Sequence, residues 1–168
     1  MASDILVRET TEHDDVAVGA VLSASYPNLM RGAYDAAVLD VVLPLMTRAN
    51  SGLLSSGTYY LAEDMGGNPI GCGGWTLARP GSGDVVPALG HIRHFATHPD
   101  WARRGIGRAI FARCEECARP SGITQFECYA SLNAEQFYSA LGFTSRRRID
   151  VEMVPGTLFP AILMARKI

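Results

Sequence analysis

Between His98 and Arg108 the chain reads His-Pro-Asp-Trp-Ala-Arg-Arg-Gly-Ile-Gly-Arg. The segment joins a strand-like run, His91 to Thr97, to a helix-like run, Ile106 to Arg119. A turn of this kind suits an anion. The first turn of a helix carries N–H groups with no intrahelical acceptor, and its dipole favours negative charge there. Gly105 and Gly107 let the main chain approach a bound group closely, and Arg103, Arg104 and Arg108 add positive charge around the same point. A diphosphate is the ligand that matches so many converging donors. The plain structural alternative is a tight strand–helix connection ringed by solvated arginines. Two other phosphate motifs do not fit. A P-loop needs Lys-Ser or Lys-Thr after its last glycine, where Arg108-Ala109 stands; a dinucleotide fingerprint needs a third glycine and a first-strand location.

A second segment, Asn133-Ala-Glu-Gln-Phe-Tyr-Ser-Ala-Leu-Gly-Phe143, reads as a short helix. Asn133 is the expected N-cap with Gln136 at the third position, a variant of the capping box. Ala134, Phe137, Tyr138 and Leu141 share one face at helical spacing, and Gly142 takes the position after the helix end. On that reading alone Tyr138 is a core aromatic with its hydroxyl at the rim, and Asn133 is a plain cap.

Together the two segments resemble the GNAT acetyltransferase superfamily. Ala102-Arg103-Arg104-Gly105-Ile106-Gly107 is similar to its acyl-CoA-binding motif, Gln/Arg-x-x-Gly-x-Gly/Ala, with Ala102 departing at the first position. Asn133 to Phe143 is similar to its later helix, which ends in Phe-Tyr-x-x-x-Gly-Phe. The resemblance implies an α+β fold: a mixed, mostly antiparallel central sheet with two splayed strands, flanked by about four helices. It implies acetyl-CoA as cosubstrate and no metal. Residues Arg103, Arg104, Gly105, Ile106, Gly107 and Arg108 would hold the diphosphate. Phe95, Ala96 and Thr97 would pair with pantetheine, with Asn133 also in contact with the cofactor. Tyr138 would be the acid that protonates the departing thiolate. The reaction implied is acetyl transfer to a primary amine of a small molecule or peptide. A CoA-binding sensor without turnover is an alternative, as is an acetylator of a protein N-terminus or charged tRNA. A homodimer through the C-terminal strands is also implied.

The base that would deprotonate the amine is less defined. His94 lies on the strand before the turn, and a reference pKa of roughly 6.5 suits the task. Glu127 and Glu63 are alternatives, and a hydrogen-bonded structural role for His94 is the plainer reading. Trp75, Tyr26 and Tyr34 could wall a substrate pocket, although core packing accounts for each equally well. Cys114 and Cys117 have redox or zinc spacing, but both fall on the apolar stripe with Ile106 and Ile110, so burial explains them better.

Length and composition frame these readings. A chain of 168 residues, 48% apolar and 19% charged, is expected to be one globular domain spanning 1–168. No apolar run is long enough to span a bilayer, and Met-Ala-Ser-Asp is not a signal-peptide pattern, so the expected location is the cytoplasm, away from membranes. Residues 1–84 carry 4 arginines against 10 acids, or −6, whereas residues 85–168 carry 11 Lys+Arg against 7 acids, or +4. The positive half holds the arginine-rich turn. So modest a charge argues against nucleic acid as a partner.

The elements that must position these groups follow from pattern. Ile5 to Glu9 reads as a strand, and Thr11-Glu-His-Asp14 as the capped start of a helix reaching about Ala24. Tyr26-Pro27-Asn28 is expected to break it, with a second helical stretch from Ala33 to Ala49, interrupted near Pro44. Ser51 to Gly57 reads as a loop. Thr58 to Asp64 and Pro69 to Leu77 form a hairpin, whose glycines 71, 73 and 74 suggest a bulge or close approach. Strands are expected at Leu89 to Thr97, Ile123 to Ala130, Thr144 to Met153 and Pro160 to Ala165.

Overall fold

The computed structural model describes residues 4–168. Seven strands form one sheet: β1 (Ile5–Glu9), β2 (Tyr59–Asp64), β3 (Pro69–Thr76), β4 (Leu89–Thr97), β5 (Gln125–Ser131), β6 (Thr144–Val154) and β7 (Thr157–Lys167). Their order is β1-β2-β3-β4-β5-β7-β6, and every neighbouring pair is antiparallel except β4–β5. The helices among the described residues are α1 (Asp15–Met30), α2 (Ala36–Met46), the single turn α3 (Ser51–Leu54), α4 (Ile106–Ala118) and α5 (Glu135–Ala140). The fold is therefore α+β with a mostly antiparallel sheet, as the resemblance implies.

The sheet is covered on both faces. Tyr60, Trp75, Ile92 and Phe126 point to the face where α4 packs with Ile106, Ile110, Phe111 and Cys114. Tyr59, Leu61, Cys72 and Ala96 point to the other face, against Val18, Val21 and Leu22 of α1. Further along that second face, Phe159 and Ala161 of β7 meet Met30, Leu39 and Val42. Alternation along β2 thus sends the adjacent Tyr59 and Tyr60 to opposite cores.

Several boundaries differ from the sequence expectation. Pro27 does not end α1, which runs on to Met30. The missing N–H is tolerated because the last turn is anchored: Met30 is 1% exposed, and the Tyr26 hydroxyl is bonded to the sheet. The second helix is shorter than 33–49 at both ends and retains Pro44. The stretch read as a loop contains α3, because Asn50 caps the Leu53 N–H at 3.0 Å and Leu53 and Leu54 are buried. The capping box at Thr11 and Asp14 is present around a 3₁₀ turn that leads into α1. Asn133 caps nothing. It lies within a 3₁₀ turn, Leu132–Ala134, and α5 begins after it without a side-chain cap.

Candidate active site

The decisive departure from regular pairing is between β4 and β5. They are joined only at Leu89–Gln125, Gly90–Phe126 and His91–Glu127. Beyond that rung β4 continues alongside β3 to Thr97, while β5 continues alongside β7 to Ser131. A wedge opens between them, narrow at His91–Glu127 and wide towards the turn that follows β4. Main-chain groups of β4 facing the wedge have no strand partner, a ready edge for an extended, amide-bearing arm.

A bulge lies in the wall of this wedge. The β3–β4 register shifts between Cys72 and Gly74, and His94 adopts φ +48°. A left-handed residue other than glycine is uncommon and persists only where its surroundings hold it. Here the Tyr59 hydroxyl donates to the His94 carbonyl and the Tyr26 hydroxyl to the Phe95 carbonyl, both at 2.8 Å. The Cys72 thiol lies 3.7 Å from the same His94 oxygen. Gly73 makes room for the displaced strand, since a Cβ there would fall 2.5 Å from the Phe95 ring. The glycine-rich β3 thus has the close approach that its sequence suggested.

The turn after β4 gathers free N–H groups and arginines at the start of α4. Arg103 and Gly105 both adopt left-handed backbone, at φ +62° and +79°, which curls residues 102–106 around the start of α4. The first helical bond is from the Ala109 N–H to the Gly105 carbonyl at 3.0 Å, so the N–H groups just before it have no intrahelical acceptor. The three arginines are not equivalent. Arg104 stacks over Trp101 at 4.9 Å, and Arg108 donates to the Ala140 carbonyl at 3.2 Å. Arg103 is exposed and has no bonded, charged or ring partner among the described residues. Gly107 is pressed under Phe137, whose ring would lie 2.4 Å from a Cβ.

Two predicted side chains meet the wedge from α5 and its approach. Tyr138 is 7% exposed and sits among Phe95, Phe137 and Phe143, with the Cys128 thiol beside its hydroxyl. Burial holds its pKa well above the ordinary phenol value, with Cys128 adding to the shift, so it stays protonated and able to donate. The Asn133 Oδ1 is buried and has no hydrogen-bond partner, an unmet acceptor beside the strand end.

His94 fares differently as a base. Burial first, and the Arg93 cation second, lower its pKa to about 4. A neutral imidazole of that basicity is a poor proton acceptor. Glu63 is engaged by Arg8 at the far side of the sheet, a residue that also binds Asp14 at 2.9 and 3.0 Å. Glu127 instead lies at the narrow end of the wedge, 3.9 Å from His91 Nδ1 and from Arg79. His91 is 1% exposed and burial lowers its pKa.

Tyr59 was invisible as a site residue in the sequence, where it reads as half of a strand doublet. Tyr26 and Tyr34 act as ties rather than only as walls: Tyr34 donates to the Pro160 carbonyl at 2.6 Å and accepts from the Leu132 N–H at 2.8 Å. Trp75 is 3% exposed and packs against Phe126 in the α4 core, so it does not wall a pocket. Cys114 is buried and Cys117 half-buried, both as free thiols.

Known proteins share this fold. A structure of a GCN5-related N-acetyltransferase from Rhodopseudomonas palustris superposes with a TM-score of 0.78 at 20% identity, covering 98% of this chain and 96% of that one. The PaiA N-acetyltransferase from Thermoplasma acidophilum, solved with coenzyme A, gives 0.71 at 15% identity over 98% and 99%. The ribosomal-protein-S18-alanine N-acetyltransferase from Escherichia coli gives 0.62 at 17% over 98% and 94%. At these identities the likeness is one of fold. The sequence model of the acetyltransferase (GNAT) domain matches residues 55–145, more than half of the chain and the whole of the wedge, turn and Tyr138 helix. The chain belongs to the GNAT acetyltransferase family.

Proposed function

We propose that this protein moves the acetyl group of acetyl-CoA directly to a primary amine. One observation carries the reading: a strand whose parallel neighbour diverges ends in a turn of unbonded N–H groups, so one extended ligand could use both. The diphosphate is held by the N–H groups of residues 103–108, with Arg103 the cation left to engage it. Pantetheine runs along Phe95, Ala96 and Thr97, and Asn133 supplies its unmet Oδ1 to an amide N–H. The Phe95 carbonyl already accepts from Tyr26 and keeps one lone pair for the ligand.

The thioester then lies towards the narrow end of the wedge. An amine attacks the acetyl carbonyl, a C–N bond forms and the C–S bond breaks. N–H groups of the bulge at His94 and Phe95 stabilise the oxyanion. The amine proton passes to a base, and Glu127, at the narrow end of the wedge beside His91 and Arg79, is placed for that role. Tyr138 donates its proton to the departing thiolate and recovers one from solvent. The four unpaired thiols fit work in the reducing cytoplasm.

A thermal-shift titration with acetyl-CoA, CoA and ATP tests the cofactor. Both CoA species, and not ATP, should raise Tm, and Gly107→Glu should abolish the rise by displacing the Phe137 ring packed on Gly107 and setting a negative charge at the start of α4. Thiol release across an amine panel then tests turnover. Binding without transfer to any small or macromolecular amine would favour a sensor, and transfer only to protein or tRNA would favour a macromolecular acceptor.

The edge strand β6 supports a homodimer. Among the described residues it has no neighbour beyond it, and residues 144–148 are exposed. Paired antiparallel with itself about Ile149, it sets Arg148 opposite Asp150 twice over. Light scattering should show a dimer that Arg148→Asp dissociates and the added Asp150→Arg restores. A monomeric wild type, or no restoration, would exclude this interface.

A further inference from the structure

The face of the sheet beneath the narrow end of the wedge carries more cation than it can use. Register aligns Tyr59, Gly74 and Arg93 in one row, and Thr76, His91 and Glu127 in the next. Tyr59 packs on the α1 side, so these side chains share that face, opposite α4. Arg93 is half-buried and donates to the Thr76 hydroxyl at 3.2 Å. Among the described residues it has no carboxylate partner. Arg79 approaches Glu127 only to 3.9 Å, and its Nε is buried without a partner. His91 Nε2 is likewise buried and unpartnered. Arg93 therefore holds a partly desolvated guanidinium with no carboxylate beside it, while the nearby Glu127 is approached by Arg79 and His91, and burial also pulls the Arg93 pKa down. An unpaired charge in such a position is costly unless something supplies the counter-charge.

We propose that the acceptor supplies it: the substrate is a small amine that also bears a carboxylate, bound by Arg93, with its amino group directed to Glu127. The inference rests on the acetyl-transfer reading for its location, but the arrangement itself is that of a zwitterion site. Guanidinium binds carboxylate with paired, charge-assisted bonds, and Glu127 attracts the ammonium form before it loses its proton. Esterified or decarboxylated amines leave Arg93 unsatisfied and are rejected.

Product binding tests this without requiring turnover. The CoA-bound protein is titrated calorimetrically with a panel of N-acetyl-L-amino acids and their methyl esters. At least one free acid should bind about tenfold or more tighter than its ester, the loss expected for one charge-assisted bond. In Arg93→Gln that discrimination should collapse, and in Arg93→Lys it should partly return. Equal binding of acids and esters by the wild type, no binding of any acid, or discrimination unchanged in Arg93→Gln would overturn the proposal. Should acids be preferred while no thiol is released with any free amino acid, the carboxylate site stands and the transfer reading fails.

Discussion

Replacing Tyr138 with phenylalanine separates chemistry from packing at one atom. The ring lies 5.0 to 6.2 Å from the rings of Phe95, Phe137 and Phe143, contacts that phenylalanine retains. The hydroxyl lost is buried beside the Cys128 thiol, a weak partner. The stability cost should therefore be about 1 kcal/mol or less, a Tm change of roughly 2–4 °C. Activity should fall far more, by about 10²- to 10⁴-fold at pH 7, the usual worth of a positioned general acid. The deficit should shrink above pH ~8.5, where a thiol of ordinary acidity leaves as thiolate unaided. Initial rates of thiol release from pH 6 to 9.5, with Tm and CoA affinity measured on the same preparations, check all three. A loss under threefold at pH 7 refutes the acid assignment. So does a large loss that is the same at every pH and accompanied by weakened CoA binding, because it would mark Tyr138 as a packing residue.

Three further outcomes are expected. Because burial and Arg93 lower the His94 pKa to about 4, His94→Gln should leave the acid limb of kcat/KM in place; loss of an inflection at pH 6 to 7 in that variant would make His94 the base. Asn133→Ala should weaken CoA binding by several-fold with almost no change in Tm, because the Oδ1 it removes has no partner within the protein; a Tm loss without an affinity loss would make Asn133 structural. Asp14 is held below the usual carboxylate range chiefly by its hydrogen bonds to Arg8. The unfolded chain therefore binds the extra proton, so this stabilisation is complete above about pH 4 and lost as pH falls through the depressed folded value. Asp14→Asn should cost about 1–2 kcal/mol at pH 7, discounted for the partial exposure of Arg8, and flatten the Tm profile below pH 4; an unchanged profile would place the acid sensitivity elsewhere.

What could be read in advance was local. An arginine-bearing strand–helix turn with glycines at 105 and 107 is legible as a turn with spare N–H donors because helix starts always leave donors over, whatever surrounds them. The capping box at Thr11 and the apolar stripe of α4 likewise depend on spacing alone. The Phe137-Tyr138 pair and Gly142-Phe143 carried the family resemblance because they are contiguous residues on and just after one short helix. Tertiary packing decided the rest. It carried α1 through Pro27 and freed Asn133 from capping. It stopped the β4–β5 pairing at His91–Glu127 and set His94 in a left-handed bulge held by hydroxyls from residues 26 and 59. It also left Arg93 without a carboxylate among the described residues, and it lowered the His94 pKa through burial and the neighbouring Arg93. A sequence specifies which groups a chain owns and which neighbours lie within a helical turn. Desolvation, and whether a charge finds its partner, are sums over residues dozens of positions apart, and these exist only once the sheet has assembled.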